Sequence, residues 1–166
     1  MIQPVFIDFE ASSLSPVSWP IEAGLAWLDE RKVVVESRLI RPRPEWPEDD
    51  WNPASEEVHG ISRSDLDDAA TADDVASWLW ETVAGRQLVS DAPEFDQRWL
   101  DRLLDRSGPQ IDDFDRVVWQ AFSDCGEVKA GRLHRVYEKR MNRPIRHRAG
   151  DDAACLCHAW LAGVGK

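Results

Sequence analysis

The sequence has only three cysteines in 166 residues. An odd count, with Cys155 and Cys157 two apart on one expected helix where their side chains diverge, argues against a disulfide framework or a zinc cluster. No stretch approaches the roughly 20 apolar residues needed to span a bilayer, and Met1-Ile2-Gln3-Pro4 lacks the basic start of a signal peptide, so the chain is expected to be cytoplasmic with no membrane partner. Internal repeats and low-complexity segments are absent. Basic residues are scarce, 20 against 31 acids for a net charge of −11, which disfavours binding a polyanion by bulk attraction.

What basic charge there is lies together. From Lys129 to Arg148 eight basic residues (Lys129, Arg132, Arg135, Lys139, Arg140, Arg143, Arg146, Arg148) face one acid, Glu138, so this segment carries +7 and the rest −18. Such asymmetry is a cue for an anionic partner, although a solvated helix face gives the same pattern. Hydrophobic residues at 43% and charged at 31% suit one globular domain spanning 1–166.

Val5 to Glu10 is an apolar run of strand length that closes on a carboxylate pair. Ile21–Leu28 and Val33–Ile40 flank Asp29-Glu30-Arg31-Lys32 and read as an antiparallel hairpin with a four-residue turn. The four prolines and two tryptophans between Arg41 and Pro53 exclude a helix or a central strand there. Val75, Trp78, Leu79 and Val83 fit an amphipathic helix opened by Thr71, and Gln87–Ser90 fits a short strand. Phe95, Trp99, Leu100, Leu103 and Leu104 fit a second helix begun near Pro93, and Phe114–Phe122 reads as a fifth strand. Helical spacing returns around Leu133–Met141 and from Arg148 to Leu161. The expected fold is α/β, a mixed five-stranded sheet with an antiparallel edge hairpin and helices on both faces.

Asp8 and Glu10, two apart on a strand, point the same way with no basic neighbour, and a hard divalent cation gives such like charges a reason to coexist. A solvated strand edge would account equally well for the pair alone. Asp96 falls in the first turn of a helix, where an acid also favours the macrodipole. His147 precedes a helix and lies five residues before Asp152.

In this order Asp8-x-Glu10, Phe95-Asp96 and His147-x4-Asp152 resemble the three exonuclease motifs of the DEDDh superfamily of 3′–5′ exonucleases. Its members include the proofreading subunit of bacterial DNA polymerase III, ribonuclease T and oligoribonuclease. Phe6-Ile7-Asp8-Phe9-Glu10-Ala11-Ser12-Ser13-Leu14 is similar to the family's Asp-x-Glu-Thr-Thr-Gly-Leu, and Val58-His59-Gly60-Ile61-Ser62 to its Val-His-Gly-Ile-Thr. The chain departs from the pattern at Ala11 and Ser13, and at Asp91-Ala92, where the family commonly carries His-Asn.

The resemblance implies a ribonuclease H-like sheet and hydrolysis of single-stranded DNA or RNA from the 3′ end to nucleoside 5′-monophosphates. It implies two divalent ions, Mg²⁺ or Mn²⁺, held by Asp8, Glu10, Asp96 and Asp152, with His147 as general base, a role that suits an imidazole of reference pKa about 6.5. Ser13, Leu14, Gly60, Ile61, Arg146 and Arg148 would contact substrate, with Leu14 as a wedge and Ile61 near the terminal base. His59 reads as a loop histidine bonded to backbone, and Trp27, Trp78, Trp99 and Trp119 as core. Trp46 and Trp51 would anchor their loop or stack on a base. An exoribonuclease trimming short RNA, and a non-catalytic binding module, are the alternatives. A homodimer and a place in a larger complex both remain open.

Overall fold

In the computed structural model, residues 3–124, 127–128, 131–144 and 146–165 are described. Lys129 of the basic segment lies outside them. Strands β1 (Pro4–Ala11), β2 (Pro20–Asp29) and β3 (Lys32–Arg41) form an antiparallel meander, extended by β4 (Ala70–Thr71), β5 (Gln87–Ser90) and β6 (Ile111–Asp113). The sheet order is β4-β3-β2-β1-β5-β6, with β1–β5, β5–β6 and β3–β4 parallel. A separate two-stranded ribbon joins β7 (Ser123–Asp124) to β8 (Glu127–Val128).

The sheet is mixed and covered by helices, as expected, but has six strands, and the fifth is not Phe114–Phe122. That run is helix α4, capped by the Asp113 side chain, which accepts from Arg116 N at 2.9 Å. Its buried residues Phe114, Val117, Val118 and Phe122 follow helical spacing. The hairpin turn is tighter than expected, since β2 and β3 pair out to Asp29 and Lys32 and leave Glu30, with φ of 55°, and Arg31 at the bend.

Alternation along β1 explains both layers. Val5, Ile7, Phe9 and Ala11 enter one core, with α2 (Ala72–Val83) and α3 (Pro93–Leu104) contributing Val75, Leu79, Trp99 and Leu103. Phe6 enters the opposite core with α4, α5 (Arg132–Met141) and α6 (Ala149–Val164). Asp8 and Glu10 continue the face of Phe6. They therefore emerge where α6 begins.

One contact fixes that position. A Cβ on Gly24 would lie 2.1 Å from the Ala149 carbonyl carbon, so only glycine lets the first turn of α6 rest on β2. Gly24 is the register partner of Asp8.

The proline-rich segment is an ordered strap. Trp46 is buried and stacks on Trp19 with centroids 6.0 Å apart, Trp51 lies 5.8 Å from the same ring, and Trp19 Nε1 donates to Pro47 O at 2.9 Å. Both loop tryptophans thus serve as anchors. After a 3-10 turn at Glu48–Asp50 the strap continues into a short helix, α1 (Pro53–His59), with Pro53 at its start and the Asn52 side chain accepting Ala54 N. Among the expected core tryptophans, Trp99 is buried and Trp27 and Trp78 pack partly against the core, whereas Trp119 is 47% exposed on α4.

Candidate active site

β1 supplies Asp8 and Glu10, and α6 supplies Asp152. Each offers a carboxylate oxygen within 4.8 Å of the others, an all-oxygen donor set suited to a hard divalent cation. Asp96, on the first turn of α3, stands behind this triplet. It is 2% exposed, accepts Phe9 N at 3.2 Å on Oδ1, and takes the Ser90 hydroxyl on Oδ2. Both its oxygens are engaged, so Asp96 ties β1 to β5 where Asp8 and Glu10 leave the sheet.

The electrostatics are unfavourable without a counter-ion. Burial, reinforced by Asp96, Glu10, Asp152 and Asp91, holds Asp8 well above the usual carboxylate range. Burial and repulsion from Asp152 and Glu22 push Glu10 up to about 8. Burial raises Asp96 to about 7 against the lowering effect of the Ser90 bond, and burial raises Asp152 as well. A bound cation would reverse this penalty, so the residues fit a divalent metal.

His147 has φ of 52°, a left-handed conformation uncommon outside glycine. The residues on either side hold it there. Arg146 N donates to Asp152 Oδ1 at 3.4 Å, while Arg148 forms a bidentate pair with Glu22, both bonds 2.9 Å, and Ala149 N donates to Glu22 at 3.2 Å. Glu22 is 2% exposed and sits opposite Glu10 in the β1–β2 register. Its spacing matches no motif. Its signal was an acid inside the apolar run Ile21–Leu28, but its partner is 126 positions away.

On the other side of Glu10 lies a cleft of ≈ 320 Å³ lined by Phe9, Ser13, Leu14, Asn52, Val58 and His59 among others. Leu14, 70% exposed, and Val58, 53% exposed, are its free apolar side chains. Ile61, expected near a base, is instead 3% exposed in the core. Gly60 caps α1 in the left-handed conformation, φ 68°, and the chain turns inward there. Ser13 lines the cleft, but its hydroxyl donates to Asp50 at 2.7 Å, as does that of Ser12, and Ser15 also bonds Asp50. This serine fan fixes the loop that displays Leu14. His59 Nδ1 accepts Ile61 N at 3.1 Å, the backbone role expected of it.

The basic residues divide. Arg148 is committed to Glu22, and Arg135 donates to Ala162 O and Gly165 O at the end of α6. Arg146 is exposed, 4.0 Å from Asp151. Arg140 and Arg143 line a second cavity of ≈ 230 Å³ together with Asp8, Asp91 and Asp152.

No protein-family model matches the sequence, and no curated protein matches it. Solved structures do. The zinc-bound complex of E. coli exonuclease I with single-stranded DNA is 15% identical and superposes over 99% of this chain at a TM-score of 0.66. The chain shares the fold of exonuclease I. The E. coli enzyme in complex with a dT13 oligonucleotide (14% identical, TM-score 0.67) and the moderately thermophilic exonuclease I from Methylocaldum szegediense (13%, 0.67) each superpose over 97% of this chain. At these identities the likeness is one of fold. The chain spans about two fifths of those chains, 41%, 41% and 40% in turn. No helix among the described residues is long and apolar enough to cross a membrane.

Proposed function

We propose that this chain is a metal-dependent 3′–5′ exonuclease of the DEDDh type that releases nucleoside 5′-monophosphates from single-stranded nucleic acid. The observation that carries the reading is the Asp8, Glu10 and Asp152 triplet, three carboxylates within 4.8 Å at the junction of β1 and α6. Asp8, Glu10 and Asp152 would hold two divalent ions, Mg²⁺ or Mn²⁺, with Asp96 supporting them from behind through Phe9. When bound, such ions neutralise the carboxylates and stabilise charge on the attacking and leaving oxygens of a phosphodiester.

The chain's own residues do the rest. His147, exposed at the head of α6 and oriented by its neighbours' bonds to Asp152 and Glu22, takes the proton of the attacking water. The cleft beside Glu10 receives the terminal nucleotide, with Leu14 and Val58 against the base. Its volume suits one nucleotide, at the small end of ligand pockets. Arg146 remains available to strand phosphates, whereas Arg148 acts through Glu22.

Single-stranded DNA and RNA of one sequence, incubated side by side with Mn²⁺ and with chelator, test this reading. Mononucleotide release that disappears in chelator is expected, and the faster substrate assigns the sugar preference between a DNA exonuclease and an RNA-trimming enzyme. No release from either would contradict the reading.

A further inference from the structure

Asp91 is a further carboxylate at a site already crowded with them. It repels Asp8, Asp96 and Asp152, and its side chain is 40% exposed on the loop between β5 and α3. Its counter-charge comes from α5, where Arg140 Nη2 lies 3.1 Å from Asp91 Oδ2. Arg140 does not depend on Asp91 for its position. Its Nη1 donates to Asp115 Oδ1 at 3.3 Å, and the guanidinium carbon rests 5.2 Å from the centroid of the Phe114 ring. Tyr137 OH holds the same Asp115 oxygen at 2.9 Å. The fork is thus fixed from one side and closed on the other by a single exposed carboxylate.

The ≈ 230 Å³ cavity into which Arg140 and Asp91 face is also lined by Asp8 and Asp152, so whatever fills it lies beside the carboxylate triplet. A phosphodiester oxygen carries charge like that of a carboxylate oxygen and can take its place on Arg140 Nη2 while Nη1 stays on Asp115. We propose that Arg140 binds a backbone phosphate of the strand in this cavity, and that Asp91 occupies Arg140 in the free protein as a built-in competitor which the phosphate displaces. The exchange leaves Arg140 bonded to Asp115 and over Phe114. It moves only Asp91, which can turn to solvent. Asp91 thereby weakens binding of every strand by the same factor, whatever the bases.

This inference rests on the nuclease reading above, and a double-mutant cycle on strand binding separates the two. A 5′-fluorescein-labelled single-stranded oligonucleotide is titrated by anisotropy in Ca²⁺, at several salt concentrations, against the wild type, Asp91→Asn, Arg140→Ala, Arg140→Lys and the Asp91→Asn/Arg140→Ala double variant. Mononucleotide release in Mn²⁺ is measured alongside. Asp91→Asn should tighten binding by roughly three- to tenfold, the strength of an exposed but well-oriented ion pair. Arg140→Ala should weaken it about tenfold and lower the slope of log affinity against log salt by about 0.7. Arg140→Lys, which keeps the charge without the fork, should fall between.

The deciding result is non-additivity, with Asp91→Asn tightening binding little or not at all once Arg140 is gone. An equal gain from Asp91→Asn in both backgrounds would mean that Asp91 acts only as general repulsion, and the exchange is then wrong. Unchanged affinity and slope in Arg140→Ala, with wild-type hydrolysis intact, would overturn the phosphate site and leave the nuclease reading standing. A wild type that neither binds nor cleaves the strand would overturn both.

Discussion

Asp8→Asn is expected to reduce hydrolysis by about a thousandfold or more, because it removes one charge of the carboxylate triplet that would hold the ions. The same change should make the chelated protein more stable at pH 8. The direction follows from the shifts. Asp8 is held well above the ordinary range, Glu10 is pushed to about 8 and Asp96 to about 7, so each binds its proton more tightly in the folded chain than in the unfolded one. Between about pH 4 and pH 8 the folded state therefore carries more protons, and its stability falls as pH rises through that window.

The depressed carboxylates Asp50, Asp65 and Glu48 act in the opposite sense below their unfolded values near pH 4, and His59 and His158, whose burial lowers them from 6.5, act so below that value, but the upward shifts of Asp8, Glu10, Asp96 and Asp152 outweigh them toward pH 8. Thermal unfolding of the wild type in chelator should accordingly show a lower Tm at pH 8 than at pH 5. Mn²⁺ should restore Tm at pH 8, and Asp8→Asn should flatten the pH dependence and blunt the response to Mn²⁺. A variant that hydrolyses at the wild-type rate would remove Asp8 from the site.

His147→Ala should lose about 10²- to 10⁴-fold in turnover, the usual contribution of a positioned general base, while retaining divalent-ion binding. The side chain lies outside the carboxylate triplet, so calorimetric titration with Mn²⁺ should be unchanged. Because His147 sits at φ 52°, the alanine variant also carries a backbone penalty, and His147→Asn separates the two effects. Asparagine tolerates the left-handed region, so the Asn variant should match wild-type stability and remain as inactive as the Ala variant. An Asn variant with wild-type turnover would show that His147 shapes the backbone and moves no proton. Loss of Mn²⁺ binding in both variants would make it a ligand.

Much of this site could be read from residue spacing, because each motif is local. Asp8-x-Glu10 needs only a strand, His147-x4-Asp152 only a helix beginning between them, and both elements formed where periodicity put them. What escaped the sequence depended on long-range register or on very short elements. Glu22 acquires its role from a partner on α6, and Asp91 from Arg140, 49 positions away. β4 and β6 have two and three residues, too few for any period to show, and the strand expected at Phe114–Phe122 is supplied by β6 just before it. Its spacing of 114, 117, 118 and 122 was helical all along, and Asp113 supplied the cap. Ile61 was carried along with the motif it stands in, yet the left-handed turn at Gly60 sends it into the core and leaves Val58 at the cleft.

The most direct test of the central claim is product analysis on one single strand prepared in three forms: linear with a 3′-hydroxyl, linear with a 3′-phosphate, and circular, each with Mn²⁺. Removal of nucleoside 5′-monophosphates one at a time from the free 3′-hydroxyl, strongly slowed hydrolysis of the 3′-phosphate and a resistant circle are the expected results. Internal cuts in the circle, or release that begins at the 5′ end, would contradict the account.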